Sequence, residues 1–187
     1  MSLFFAGIDP GFEGALAWMN AAGSSLHVRD MPITTTKKDR QREYDLYGLR
    51  DVFSHLRRLP GTYVGIENPT TRPGEGSERS ERFGRGKGYL EAFAFCKGLQ
   101  YVKIAPNLWK GRLGLDGKEH AGANERAAEL FEQLYPQWAA LIRGPRGGIL
   151  DGRLDALLIA HGMRIGVFQA KYSEFVEVGK AMRNLHK

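Results

Sequence analysis

The chain has 187 residues, 42% hydrophobic and 26% charged, enough for one domain with a sizeable core and too few for two comfortable ones. Its formal charge of +6 and pI near 9.5 favour polyanionic partners without identifying one. A single cysteine excludes a disulfide framework and a cysteine-based zinc cluster, and no stretch reaches transmembrane length, so a reducing, cytoplasmic setting without membrane association is expected.

In chain order, LFFAGI (3–8) is a continuous apolar run closed by Asp-Pro-Gly, as expected of a strand buried on both faces. With no basic segment ahead of it, it does not read as a signal peptide. GALAWMN (14–20) and SLHVRDM (25–31) complete an antiparallel meander around a turn at AAGS. Polar 34–43 is expected to be a loop, and 46–59 carries helical periodicity. TYVGIENP (62–69) is a second buried strand. The Gly-, Arg-, Ser- and Glu-rich stretch 70–88 has no hydrophobic period and predicts a long loop, a kind that in compact domains tends to carry function. A helix over 89–99 holds Cys96, expected as a buried, inert thiol. A strand over 100–106, a turn-rich connection over 107–123 and a helix over 124–136 follow. The basic, glycine-rich loop RGPRGG (143–148) then leads into a helix over 151–165, and the tail 167–187 has the pattern of a weak terminal helix. The order βββαβαβαα describes one α/β domain over 1–166, a five-stranded mixed sheet flanked by helices.

Acidic residues fall in unusual places. Asp9 ends the first buried strand and Glu67 ends the 62–69 strand, which the natural closure sets beside the first. Adjacent strands lie about 4.8 Å apart, and sites in open α/β sheets gather at the carboxyl ends of strands. The helix DGRLDALLIAHG (151–162) opens with Asp151 and Asp155 four residues apart, where like charges repel by roughly 0.2–0.5 kcal/mol. Singly, each acid has a plain reading: Asp9 as a turn residue, Glu67 as a solvated strand end, Asp151 as an N-cap. Together, on one sheet edge, they would repel strongly unless cations lay between them. An oxygen-only donor set suits magnesium or manganese, and two such ions clamp the attacking and leaving oxygens of an in-line phosphoryl displacement.

The motifs GIDPGFEGALAW, VGIENP, APNLWK, DGK and DGRLDALLIAHG resemble, in order and spacing, those of RuvC-type Holliday junction resolvases over roughly residues 5–165. The closest likeness is to the chloroplast resolvase branch and its bacterial and phage relatives. The PNLWK element points there, as does the spacing of the last two acids, four residues apart where bacterial RuvC proteins place theirs three apart. The resemblance implies an RNase H-like fold, a homodimer, and Mg2+- or Mn2+-dependent hydrolysis placing paired nicks across a four-way DNA junction. It implies Asp9, Glu67, Asp151 and Asp155 as metal ligands and catalytic acids around two ions per site, Lys118 as the functional lysine and Lys110 as a second basic position touching DNA.

Phosphate contacts are expected from the 70–88 segment through Arg72, Arg79, Arg82, Arg85 and Lys87, with Phe83 able to stack on unpaired bases near a branch point. Glu75, Glu78 and Glu81 weigh the other way, toward a merely solvated loop. Arg143 and Arg146 stand beside the acidic helix, and Trp109 is expected to pack under the Lys110 turn. Alternatives are an RNase H-like nuclease acting on other branched DNA or RNA–DNA hybrids, and a junction-binding protein without catalysis. An actin-like ATPase fragment, suggested by GIDPG alone, would need a second phosphate loop that the chain does not show. Nothing in the sequence points to a helicase partner.

Overall fold

The computed structural model describes residues 3–35, 41–69, 76–116 and 122–166. Arg72, Lys118 and the tail 167–187 lie outside the described residues. The chain runs through β1 (Phe4–Ile8), β2 (Ala15–Asn20), β3 (Leu26–Asp30), β4 (Ile33–Thr35), β5 (Arg42–Tyr44), α1 (Leu46–Arg58), β6 (Thr62–Glu67), α2 (Ser77–Cys96), β7 (Gln100–Ile104), α3 (Pro106–Arg112) and α4 (Ala123–Leu134), then a 3-10 helix (Pro136–Ile142) and α5 (Asp151–Arg164). The five-stranded mixed sheet has the order β3-β2-β1-β6-β7. β1, β2 and β3 form the antiparallel meander, whereas β6 pairs parallel to β1 and β7 parallel to β6. The expected mixed sheet flanked by helices is therefore present.

Three stretches differ from the sequence reading. The 34–43 segment is not simply a loop: β4 and β5 form a short antiparallel ladder in which Ile33 pairs with Tyr44. The 107–123 connection begins with α3, whose Pro106 occupies the first turn, where its missing N–H costs nothing. The 70–88 segment is helical from Ser77 onward, so α2 begins well before residue 89. Its inward face was invisible to hydrophobic counting because one core position is Gly86, where a Cβ would lie 2.2 Å from the Tyr44 hydroxyl oxygen. The same helical phase turns Leu90 and Ala94 inward, leaving Phe95 61% exposed and Cys96, at the end of α2, exposed rather than buried.

The sheet is buried on both sides. Ala6, Ile8, Val64 and Ile66 pack with Leu49, Val52, Phe53 and Leu56 of α1 and with Leu90 and Ala94 of α2. On the opposite face, Ala17, Met19, Val102 and Ile104 meet α4, the 3-10 helix and α5. Helix α5 is apolar nearly all round, with every residue from Ala156 to Met163 buried, as expected of a helix enclosed in a core.

Small residues set how closely α5 approaches. Gly7 of β1 lies in register with Ala17 of β2 and with Gly65 of β6, giving a shallow trough across the sheet. A Cβ on Gly7 would stand 2.2 Å from the Ala156 carbonyl oxygen and 2.4 Å from the Ala160 nitrogen. A Cβ on Gly65 would meet Ile159 and Met163 side chains at 3.0 Å. Side chains alternate faces along a strand, so Asp9 and Glu67, each two residues beyond its glycine, fall on the face that α5 covers.

Because backbone atoms block the Gly7 site, no rotamer change can relieve a methyl group there. Gly7→Ala should lower stability by about 1–3 kcal/mol or more in urea unfolding. Gly84→Ala, where nothing lies within 4 Å of the added Cβ, should instead raise stability by about 0.4–1 kcal/mol.

Candidate active site

Asp9 follows the last residue of β1, and its N–H still donates to Ala15 O at 3.0 Å, so the strand pairing carries it into place. The turn beyond it closes locally: the Gly11 amide donates to Asp9 Oδ1 at 3.0 Å and Gly14 N donates to Gly11 O at 2.9 Å. The β4–β5 ladder braces that turn from outside. The Tyr44 hydroxyl donates to Pro10 O at 2.6 Å, Arg42 Nη2 donates to Phe12 O at 2.9 Å, and Arg42 also pairs with Glu13. A cleft lined by Phe12, Glu43, Tyr44, Leu46, Arg85 and Tyr89 opens beside this brace.

The N-terminus of α5 abuts the same turn. Gly14 and Gly152 form an isolated parallel bridge, and a Cβ on Gly152 would stand 2.0 Å from Glu13 O. This contact brings Asp151 and Asp155 to Asp9. Asp151 is not the N-cap, one of its plain readings: Leu150 holds that position and Asp151 is the first helical residue, exposed in the first turn.

Glu67, the last residue of β6, is only 7% exposed. Asn68 N donates to Ile104 O at 2.8 Å, extending the β6–β7 pairing past it. Its Oε1 accepts a hydrogen bond from the Trp109 indole Nε1 at 2.8 Å. One residue on, Lys110 Nζ lies 3.3 Å from Asp155 Oδ2 and 4.9 Å from the Trp109 ring centroid, an ion pair and a cation–π contact made by one ammonium group.

The electrostatics tie these groups into one cluster. Burial raises the Glu67 pKa to about 7, helped by the charges of Asp155 and Asp9 and opposed by the Trp109 hydrogen bond and Lys110. Burial likewise raises Asp155 to about 6, with Asp9 and Asp151 adding to the effect and Lys110 opposing it. Asp9 is raised by burial and by Asp151, against the Gly11 amide and Lys110. Asp9 and Asp155 thus each act on Glu67, Asp151 acts on Asp9 and Asp155, and Lys110 is the cation that Asp9, Glu67 and Asp155 share.

The donor set, carboxylate oxygens only, fits a hard divalent cation. As the side chains stand, no group of three or more His, Cys, Asp or Glu among the described residues is arranged to hold a metal ion. Glu67, Asp9 and Asp155 each commit one oxygen to a protein donor, and Lys110 supplies positive charge where a cation would.

The expected nucleic-acid residues are less tightly gathered. Arg79 and Arg82 fall on the first turns of α2. Lys87 Nζ donates to Asn68 Oδ1 at 2.8 Å, next to Glu67, and lies 5.6 Å from the half-buried Phe83 ring. Arg85 is exposed at the cleft. Arg143 is engaged with Glu132, its Nε donating to Oε1 at 2.9 Å, while Arg146 is exposed in its turn. The sequence reading missed Trp109, expected only to pack. A tryptophan just past the end of a buried strand carries one N–H that must find a partner if enclosed, and that was the available signal.

No protein-family model and no curated protein matches the chain. Its fold is similar to that of RuvC from Thermus thermophilus in complex with a Holliday junction substrate, at 20% identity and TM-score 0.53 over 88% of this chain and 97% of that one. Thermus thermophilus RuvC alone gives 20% identity and TM-score 0.50 over 88% and 98%. The yeast mitochondrial Holliday junction resolvase gives 14% identity and TM-score 0.52 over 95% and 83%. At these identities the likeness is one of fold, and the sheet described above is the RNase H-like sheet of these proteins.

A carboxyl group whose pKa is raised in the fold favours the folded state while protonated, and that advantage is lost as pH rises through the folded value. For Glu67 the window runs from the ordinary 4.5 to about 7. In EDTA, Glu67→Gln, which keeps an acceptor for Trp109, should match the parent's stability near the lower limit and exceed it by on the order of 2 kcal/mol at about pH 8. Urea unfolding of both proteins at the two pH values reads this directly.

Proposed function

We propose that this chain is a divalent-metal-dependent endonuclease that resolves four-way DNA junctions by paired, symmetric nicks, working as a homodimer. The observation that carries the reading is the convergence of Asp9 and Glu67, at the carboxyl ends of β1 and β6, with Asp151 and Asp155 of α5. The RNase H-like sheet that the chain shares with two kinds of Holliday junction resolvase supports it, as does the net charge of +6. The PNLWK element and the Asp151–Asp155 spacing favour the chloroplast-type branch within that group.

In this reading the four acids hold magnesium or manganese, two ions per site. Such an ion, when bound, activates a water for in-line attack on phosphorus and stabilises charge on the departing 3′ oxygen. The chain's own groups do the rest. The Gly11 amide fixes Asp9, the Trp109 indole fixes Glu67, and Lys110 stands at the cluster to meet a nonbridging phosphate oxygen. Lys118 takes a similar part from the 117–121 segment. Arg85, Lys87 and the other basic residues of α2, with Arg72 and Arg146, neutralise the DNA backbone, and Phe83 contacts bases at the branch point. Arg143 joins them only by releasing Glu132. A twofold dimer sets two such sites against two strands of like polarity, which is what symmetric resolution requires.

An immobile four-way junction, with one end-labelled strand per reaction, tests the reading. With magnesium the protein should nick two opposed strands symmetrically and leave ligatable ends. Asp155→Asn should cut at least about a thousandfold more slowly, a loss of about 4 kcal/mol in transition-state stabilisation, while still binding the junction. Equal cutting of duplex, hybrid and junction would assign a general RNase H-like nuclease instead. Tight binding without nicks under either metal would assign a branch-binding protein.

A further inference from the structure

The reading of the acids as metal ligands leaves a question about how Glu67 is held. It ends a strand, is almost fully enclosed, and carries like charges around it, a setting in which a carboxylate would turn away unless something restrained it. The restraint is an indole. Trp109 is completely buried, and its Nε1 lies 2.8 Å from Glu67 Oε1. Its ring face carries the Lys110 ammonium, which in turn reaches Asp155 at 3.3 Å. A single dipeptide of the short helix α3 therefore touches one carboxylate from the sheet and one from α5.

We propose that Trp109 is a positioning residue for the metal site, its indole N–H fixing one oxygen of Glu67 so that the other is presented to the cation. The chemistry of the group suits the task. An indole N–H donates but does not accept, carries no charge and does not titrate, so it orients a carboxylate without competing for the metal. A histidine there could ligate the ion, and a lysine would repel it. Hydrogen-bond partners behind metal ligands commonly set affinity as strongly as the ligands' own geometry, with losses of 10–100-fold on removal. The inference rests on the reading of the acids as metal ligands, and its test separates the two.

Trp109→Phe removes the N–H and keeps a ring under Lys110. Calorimetric titration with magnesium or manganese should show at least about tenfold weaker binding than the parent. Affinity for a four-way junction in EDTA should stay unchanged, an outcome that general loss of structure would not give. A second protein, carrying Trp18→Phe and Trp138→Phe, leaves Trp109 as the sole tryptophan of the three and keeps the test open should Trp109→Phe not fold. Its emission should change on metal addition, over the concentration range in which calorimetry detects binding. A folded Trp109→Phe protein with parental metal affinity would overturn the proposal, as would metal binding that leaves Trp109 emission untouched. A parent protein that binds neither metal would overturn the metal-site reading itself, and the role of Trp109 with it.

Discussion

The distance between α5 and the two central strands is the constraint on which the acidic edge depends. A helix laid over a sheet of ordinary side chains is held off by the layer of side chains between them. Here Gly7 and Gly65, paired in register, remove the intervening side chains and let the helix backbone settle onto β1. A second close approach, Gly14 against Gly152, fixes the helix end against the β1–β2 turn. Glycine in a strand interior costs roughly 0.5–1 kcal/mol against alanine, yet burial of Leu157, Leu158 and Ile159 at 0% exposure offsets it several times over. The same glycines bring carboxylates from opposite ends of the chain together.

That approach produces an electrostatic conflict, which the protein contains rather than removes. Glu67 and Asp155 are enclosed enough to resist ionisation, and each carboxylate raises its neighbours. A core built only for stability would place apolar residues there. Lys110 relieves part of the repulsion through one ion pair at 38% exposure, so screening limits what that pair contributes. The arrangement makes sense as a site whose electrostatic balance is completed from outside. Elsewhere in the core, the buried Tyr135 hydroxyl, just past α4, and His161 Nδ1 of α5 satisfy each other at 2.8 Å.

Much of this was legible in the residues. Continuous apolar runs marked the buried strands, and the acids at their ends stood out because strands enclosed on both faces seldom finish in carboxylates. Where reading failed, the cause was a residue whose role is to be small or to sit across a gap. Gly86 completes the inward face of α2 by having no side chain, so hydrophobic periodicity reported a loop. The β4–β5 ladder is mostly polar, and beyond Tyr44 and Ile33, which join the core, its residue Arg42 together with the Tyr44 hydroxyl holds the Asp9 turn. Trp109 meets Glu67 only because α3 folds back over the end of β6, a tertiary fact that spacing along the chain does not encode. Cys96 sits in an apolar run yet faces outward, since run composition does not give helical phase.

The seating of α5 against β1 also has a consequence for biosynthesis. The first strand leaves the ribosome early, but the helix that covers its glycine trough is made more than a hundred residues later, so at about 5–20 residues per second the wait is on the order of ten seconds. Until then the nascent chain holds Asp9 and Glu67 without their helical counterparts. The four-acid cluster is therefore incomplete until translation has passed α5. An unfinished polypeptide released before that point would carry an uncovered sheet face for chaperones and proteases to recognise, and would lack Asp151 and Asp155.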